Sequence, residues 1–195
     1  TTAVGHPYYT YYHDSRTEML YTSSEILGNG VAPGMITKIG FNVVSAAPQT
    51  MNGFNIRMQT TTSSSVSGFI NTGWTTVYTG TYTVPGTGWR YIDLQTPFYW
   101  NGTQNLLIDI CFDNTSYTSN TTVNSTSAPN MTWHQHVDNG AGCSLSAGTT
   151  QTTRPNICMQ MNLILGNNSG ITELPKVYSL AQNYPNPFNP VTSIK

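Results

Sequence analysis

The chain has 195 residues, of which 8% are charged, and its formal net charge is −1. This balance provides no basic surface for nucleic acid or anionic membranes, so we expect neither nucleic-acid binding nor membrane insertion. Aromatic residues make up 11% of the chain, and Thr, Val and Ile are common. These residues favour β-strands and are scarce in disordered chains. The composition therefore predicts a folded, mostly β protein.

The first predicted element is a Tyr-rich strand within residues 1–18, which contains the run Tyr-Tyr-Thr-Tyr-Tyr at 8–12. Its aromatic side chains fall on both faces of a strand. We therefore expect them to be covered on both faces, either by the body of the protein or by a partner.

Apolar and polar residues alternate along most of the remaining body, which is typical of antiparallel strands with one buried face. Turn signals such as Asn52-Gly53 and Asn139-Gly140 separate these segments. About nine strands spaced in this way predict an all-β fold, a two-sheet antiparallel β-sandwich of the jelly-roll or immunoglobulin-like kind, over residues 1–165. The clearest alternating segments are 39–43, 54–58, 91–94, 106–112 and 157–165.

Three cysteines, Cys111, Cys143 and Cys158, allow one disulfide in any of three pairings. Alternation places Cys111 and Cys158 on the faces of their strands opposite the apolar residues, and Cys143 lies in a Gly-rich loop. Either strand cysteine can therefore meet Cys143. A disulfide and a hydroxyl-rich, weakly charged composition suit an extracellular protein, whereas three reduced thiols in the cytosol are the alternative.

Signatures of enzymes are lacking in this sequence. It contains no nucleophile elbow, P-loop or dinucleotide fingerprint, and its acidic residues are scattered, so we expect no enzymatic activity and no cofactor. His134 and His136 share one face of a predicted strand, as half of a metal site would, although a surface pair is the simpler interpretation. Asp113 and Asp138 are weak candidates for calcium ligands in turns, and ordinary turn chemistry is the favoured interpretation of both.

Aromatic and amide side chains suggest contacts with glycans. Tryptophans can stack on sugar rings, and core packing is the alternative interpretation for each of them. The candidates are Trp74, Trp89, Trp100 and Trp133. Asn-x-Ser/Thr sequons mark candidate glycosylation sites. They occur at Asn101, Asn114, Asn120, Asn124, Asn130 and Asn167.

The composition changes after Leu165. Residues 166–170 have the composition of a linker, and three prolines occur within 185–190. Such prolines disfavour a central strand and favour extended structure, so residues 171–195 are predicted to form an extended Pro-rich tail. A tail without its own core must lie on its own sandwich or on a neighbour's. Its candidate subunit contacts are Leu174, Val177, Tyr178, Leu180, Phe188 and Ile194.

Residues 177–190, VYSLAQNYPNPFNP, resemble the start of the C-terminal sorting domains that direct Bacteroidota proteins through the type IX secretion system. The body, from about residue 8 to 165, resembles the β-sandwich modules that precede such tails. The motifs that carry this likeness are RTEMLYT (16–22), IGFNV (39–43), NLLIDICFDN (105–114) and RPNI (154–157). The resemblance implies an extracellular or cell-surface location. It also implies the pairing Cys111–Cys143, with Cys158 left over.

These observations predict two functions of different classes. The first is a structural subunit of an extracellular filament or pilus-like surface appendage, whose partner is another copy of itself. Its tail would add a strand to a neighbouring sheet, with the Tyr-rich N-terminal segment as the reserve donor. The alternative is a secreted carbohydrate-binding or adhesive module with extracellular glycans as partners.

Overall fold

The segments with alternating apolar and polar residues form two six-stranded antiparallel sheets. These lie within residues 1–162, the part of the chain that this computed structural model describes. The prediction of an all-β fold with two antiparallel sheets is thereby confirmed. The tail and its candidate contacts fall in 163–195, outside the described residues. In chain order the strands are β1 (Thr2–Val4), β2 (Asp14–Tyr21), β3 (Gly34–Ser45), β4 (Thr50–Thr61), β5 (Thr75–Thr83), β6 (Gly88–Trp100), β7 (Asn105–Asp113), β8 (Thr122–Ser127), β9 (Thr132–Val137), β10 (Thr149–Thr150), β11 (Thr153–Pro155) and β12 (Ile157–Asn162).

One sheet, here called sheet II, has the strand order β10-β9-β2-β7-β4-β5. The other, sheet I, is organised around β3, which pairs with β6, β8 and β12, and β8 also pairs with β1 and β11. Neighbouring strands in both sheets are antiparallel, as the alternation of one apolar and one polar face predicts.

The hydrophobic core lies between the two sheets and takes side chains from both. Phe41 and Ile92 of sheet I and Phe54 and Ile108 of sheet II are buried members of one cluster. Trp100, at the end of β6, is fully buried in the same cluster. Each such side chain contributes roughly 1.5–3 kcal/mol through burial, so this core is the main source of stability.

The N-terminal segment differs from the single Tyr-rich strand expected over residues 1–18. Strands β1 and β2 are separated by a loop at 5–13, in which turn hydrogen bonds such as Tyr8 N–H to Gly5 O replace a strand ladder. Pro7 has no N–H to donate to a neighbouring strand, which favours this break. Tyr8 is fully buried in the core, packed edge-on to Phe41, whereas Tyr11 is exposed.

A short helix, α1 (Ser23–Gly28), follows β2 and was not predicted from periodicity. It is set by a capping box, because the Thr22 side chain accepts a hydrogen bond from the Glu25 N–H and Glu25 accepts one from the Thr22 N–H. The Thr-x-x-Glu spacing is the local signal that identifies it. Within residues 1–162 no helix is long and apolar enough to cross a membrane.

The outer faces of the two sheets differ. Loops 62–74 and 138–148 cover sheet II, and every residue of β2 is buried. The outer face of sheet I carries exposed aromatic side chains instead, Trp89, Tyr91 and Tyr99 of β6. This difference determines which charged and aromatic residues meet solvent.

Candidate functional site

A buried ion network occupies the outer face of sheet II. Asp109 on β7 accepts hydrogen bonds from Arg16 Nε at 2.8 Å and from Arg57 Nη2 at 2.6 Å. Arg16 also contacts Glu18, with 3.0 Å between Nη2 and Oε1. The side chains of Arg16, Glu18 and Asp109 are at most 1% exposed. Such a network needs hydrogen bonds to every charged group to offset desolvation.

The loops over sheet II supply those hydrogen bonds. Arg16 donates to the carbonyl oxygens of Ile70 at 2.7 Å and Leu145 at 2.8 Å, one in each loop. The Ile70 N–H donates to Glu18 Oε1 at 2.7 Å, and the Phe69 ring lies 4.3 Å from the Arg16 guanidinium carbon. Arg16 therefore fastens both loops to the sheet.

A disulfide adds a covalent link between sheet II and loop 138–148. It joins Cys111 on β7 to Cys143, with 5.1 Å between the Cα atoms, and this is the pairing that the resemblance implies. Cys158 is a free thiol on β12. The loop is thus held by both the disulfide and Arg16.

The surroundings of Glu18 shift the pKa of its carboxyl group. Burial, with a further contribution from the Asp109 carboxylate, raises the pKa of Glu18 to about 8. Its Oε2 atom is buried and has no hydrogen-bond partner. Because the loops seal Glu18 and Asp109 from solvent, neither carboxylate is placed to contact a substrate. This network therefore stabilises the loops that cover it.

The histidine pair predicted on one strand face lies on β9 against the N-terminal loop. His134 is buried, with Nδ1 2.9 Å from Thr17 Oγ1 and Nε2 3.0 Å from His136 Nδ1, and Tyr9 stacks on His136. Burial lowers the pKa of His6 to about 4 and also lowers the pKa values of His134 and His136. Among residues 1–162 no group of three or more His, Cys, Asp or Glu side chains is arranged to hold a metal ion.

The two aspartates considered as calcium ligands lie at the same end of sheet II. Asp113 ends β7 opposite Asp14 of β2, and Asp138 accepts a hydrogen bond from the His13 N–H at 3.2 Å. Asp14 is buried, and its Oδ2 accepts a hydrogen bond from the Gly140 N–H at 2.6 Å. Asp14, which lies beside them, was not a candidate from the sequence.

Two adjacent aromatic rings lie on the open face of sheet I. Trp89 is 42% exposed and Tyr91 is 48% exposed, on the same side of β6. The Tyr91 ring lies over Gly40, where an added Cβ atom would come within 2.7 Å of the ring, so a larger residue would displace the ring from this position. The Tyr91 hydroxyl reaches Cys158 Sγ at 3.5 Å. The two rings, here called the Trp89–Tyr91 platform, thus lie two residues apart on the exposed face of β6.

A groove of about 490 Å³ adjoins this platform, between α1 and β12. Ile26, Val31, Trp89 and Met159 contribute apolar lining. At its rim Arg154 forms an ion pair with Glu25 at 2.8 Å, which lowers the pKa of Glu25 to about 2. Among the described strands β12 pairs with β3 alone, so this groove, here called the β12 groove, runs beside an edge strand.

The other three tryptophans considered as glycan contacts are less exposed to solvent than Trp89. Trp100 is fully buried, and its Nε1 donates to the Gln104 carbonyl. Trp74 and Trp133 pack against the small apolar cluster of Leu20, Val66 and Leu107 under the sheet II loops. Among the four candidates, Trp89 is therefore the one whose ring is presented to solvent.

The sequons also differ in accessibility. Asn130 is exposed at a turn, with φ of 62°. Asn114 is buried, and its Oδ1 accepts two hydrogen bonds from Asn52, so its amide is not presented for modification. Asn101, Asn120 and Asn124 are half-buried. Asn167 lies beyond the described residues.

Comparison with known proteins gives no family for this chain. No family model matches the sequence, and no curated protein matches it significantly. Its function is therefore inferred from the residues described above.

Proposed function

We propose that this chain is a structural subunit of an extracellular bacterial filament or surface appendage, assembled by docking the tail of one copy into the β12 groove of the next. The observation that carries this proposal is the edge strand β12, which pairs with β3 alone among the described strands and borders a groove with both apolar and polar lining. An unpaired strand edge offers backbone N–H and C=O groups to an added strand. The sorting-domain-like tail and the disulfide support an extracellular location.

The tail has a sequence suited to this groove. In an extended conformation Leu174, Tyr178 and Leu180 fall on one face, because side chains two apart share a side. Burying three such side chains against the apolar part of the groove contributes roughly 5–9 kcal/mol, at about 1.5–3 kcal/mol each. Backbone hydrogen bonds to the β12 edge would add to this.

The length of the connection permits docking on a neighbour. Residues 163–173 separate β12 from Leu174, and an extended segment of that length spans roughly 36 Å. A folded body of residues 1–162 has a radius of gyration of about 15 Å. The tail can therefore pass beyond its own body. Because the groove and the tail are different surfaces, the contact is heterologous and need not close, which generates filaments.

The test compares the full chain with a chain ending at residue 165. We expect filaments by electron microscopy for the full chain, and a folded monomer by circular dichroism and size-exclusion chromatography for the truncated one. Leu180→Asp should abolish filaments, whereas the matched control Ser179→Asp, on the opposite face of the extended segment, should retain them. A truncated chain that still polymerises, or a full chain that stays monomeric, contradicts the proposal.

A second measurement locates the docking site. A peptide of residues 171–195 should bind the chain 1–165 and change the fluorescence of Trp89, which lines the β12 groove. Trp89→Phe should remove that change in signal while binding persists by calorimetry. If the peptide does not bind, the tail does not dock in the β12 groove and the proposal is wrong.

The Trp89–Tyr91 platform favours a second candidate, a carbohydrate-binding or adhesive module. Two exposed rings on one face of a strand, in a sandwich of the jelly-roll or immunoglobulin-like kind, can stack on sugar rings. On a glycan array, Trp89→Ala and Tyr91→Ala should each lose binding, while Tyr117→Ala, at an exposed tyrosine elsewhere, should not. Equal binding by all three variants would exclude the platform as the glycan site.

A further inference from the structure

The carboxylates of the described residues divide into two groups. All but Glu173 of the acidic residues in the chain lie within 1–162. Four of them lie within ion-pair distance of arginine or lysine there: Glu18, Glu25, Asp93 and Asp109. The three that form no ion pair within the described residues are Asp14, Asp113 and Asp138, and all three lie at the same end of sheet II. The carboxyl groups without an ion pair in the described residues are therefore concentrated there.

Asp14 is the unusual member of this group. Its side chain is fully buried, and only one of its carboxylate oxygens, Oδ2, has a hydrogen-bond donor. The other oxygen, Oδ1, is buried without a partner. Its neighbour on β7 is Asp113, a second carboxylate in direct cross-strand register. Burial and the Asp113 carboxyl raise the pKa of Asp14, as expected for an acceptor that faces another acceptor.

The loop after β9 closes over the two carboxylates. A Cβ atom on Gly140 would lie 3.1 Å from Asp14 Oδ2, and one on Gly142 would lie 2.7 Å from the Asp113 Cβ. Gly142 has φ of 46°, a left-handed conformation that favours glycine. The disulfide at Cys143 fixes the end of this loop on β7. The loop backbone is thereby held beside both aspartates.

We propose that Asp14 and Asp113 bind a calcium ion at this end of sheet II, with backbone carbonyl oxygens and water as its remaining ligands. Two carboxylates beside a turn-rich loop provide oxygen ligands alone, which calcium prefers, in a coordination of six to eight that tolerates irregular geometry. Zinc and copper favour nitrogen or sulfur ligands, and magnesium demands near-octahedral geometry. Asp138 adds negative charge nearby. Millimolar to sub-millimolar affinity is typical of extracellular calcium modules.

The test is calcium binding by the full chain after dialysis against EDTA. Equilibrium dialysis with calcium chloride should show one saturable ion per chain. Thermal unfolding in 10 mM calcium chloride should shift upward by roughly 3–10 °C relative to sodium chloride of equal ionic strength, for an affinity in that range. Magnesium chloride should give a smaller shift.

Asp113→Asn should abolish the calcium-dependent shift, and it should fold because Asp113 is exposed. The matched control is Asp93→Asn, an exposed aspartate on sheet I paired with Lys38, which should keep the shift. Identical melting curves in EDTA and calcium for the parent chain would overturn the proposal, since the aspartate pair would then hold a proton instead. A shift of equal size in both variants would also overturn it, as non-specific stabilisation. Neither result depends on filament formation.

Discussion

The disulfide between Cys111 and Cys143 provides the sharpest test of how loop 138–148 is held. The two cysteines are 32 positions apart. In the chain-entropy description, a bridge that closes a loop of this length stabilises the folded state by about 4 kcal/mol. We expect the double variant Cys111→Ala, Cys143→Ala to lose that amount, which lowers the Tm of a domain of this size by roughly 8–15 °C.

The assay is thermal unfolding followed by circular dichroism, with and without a reductant. Reductant should lower the Tm of the parent chain to that of the double variant and leave the double variant unchanged. Cys158→Ala is the control and should respond like the parent, because Cys158 is outside the bridge. A loss below about 1 kcal/mol would refute the reasoning, since Arg16 and its hydrogen bond to Leu145 would then be sufficient to hold the loop.

Two further predictions concern the buried ion network. Asp109→Asn removes the carboxylate shared by Arg16 and Arg57, so it should lower the free energy of unfolding in urea by about 3–5 kcal/mol. The control Asp93→Asn should change it by less than about 0.5 kcal/mol. Equal effects of the two variants would contradict the role of the network. Glu18 has a pKa of about 8 in the folded protein against 4.5 when unfolded, so its contribution to stability is complete below pH 4.5 and is lost as the pH rises through 8. Glu18→Gln should flatten the decline in stability between pH 5 and 8, by at most about 1.4 kcal/mol per pH unit, and parallel curves for the two proteins would show that Glu18 does not titrate there.

Strands with one buried and one exposed face were predictable from sequence. Four of the five alternating segments fall within β3, β4, β6 and β7, which extend them in both directions, and the described part of the fifth, 157–162, forms β12. The alternation of side chains along β6 also distinguishes its two tryptophans, which were treated alike as glycan candidates. Ile92 and Leu94 point into the core, so Trp100 shares their face, while Trp89 and Tyr91 take the opposite one.

The ion network and the aspartate cluster could not be predicted in the same way, because their contacts are distant in sequence. Arg16 hydrogen-bonds Leu145, 129 positions away, and Asp109, 93 positions away. The alternation Arg16-Thr17-Glu18 favours a solvent-facing polar side, and the later loops bury that side. Asp14 joins Asp113 and Asp138 only through the β2–β7 register and the loop after β9.

The two outer faces of the protein differ in what covers them. Loops that a disulfide and Arg16 hold in place cover β2 on the outer face of sheet II. Sheet I leaves Trp89 exposed, and Trp89 belongs both to the Trp89–Tyr91 platform and to the lining of the β12 groove. A docked tail and a bound glycan would therefore compete for the same ring. In a filament built by tail docking, the platform would be fully accessible in the terminal subunit whose groove is empty, which would place adhesion at one end of the assembly.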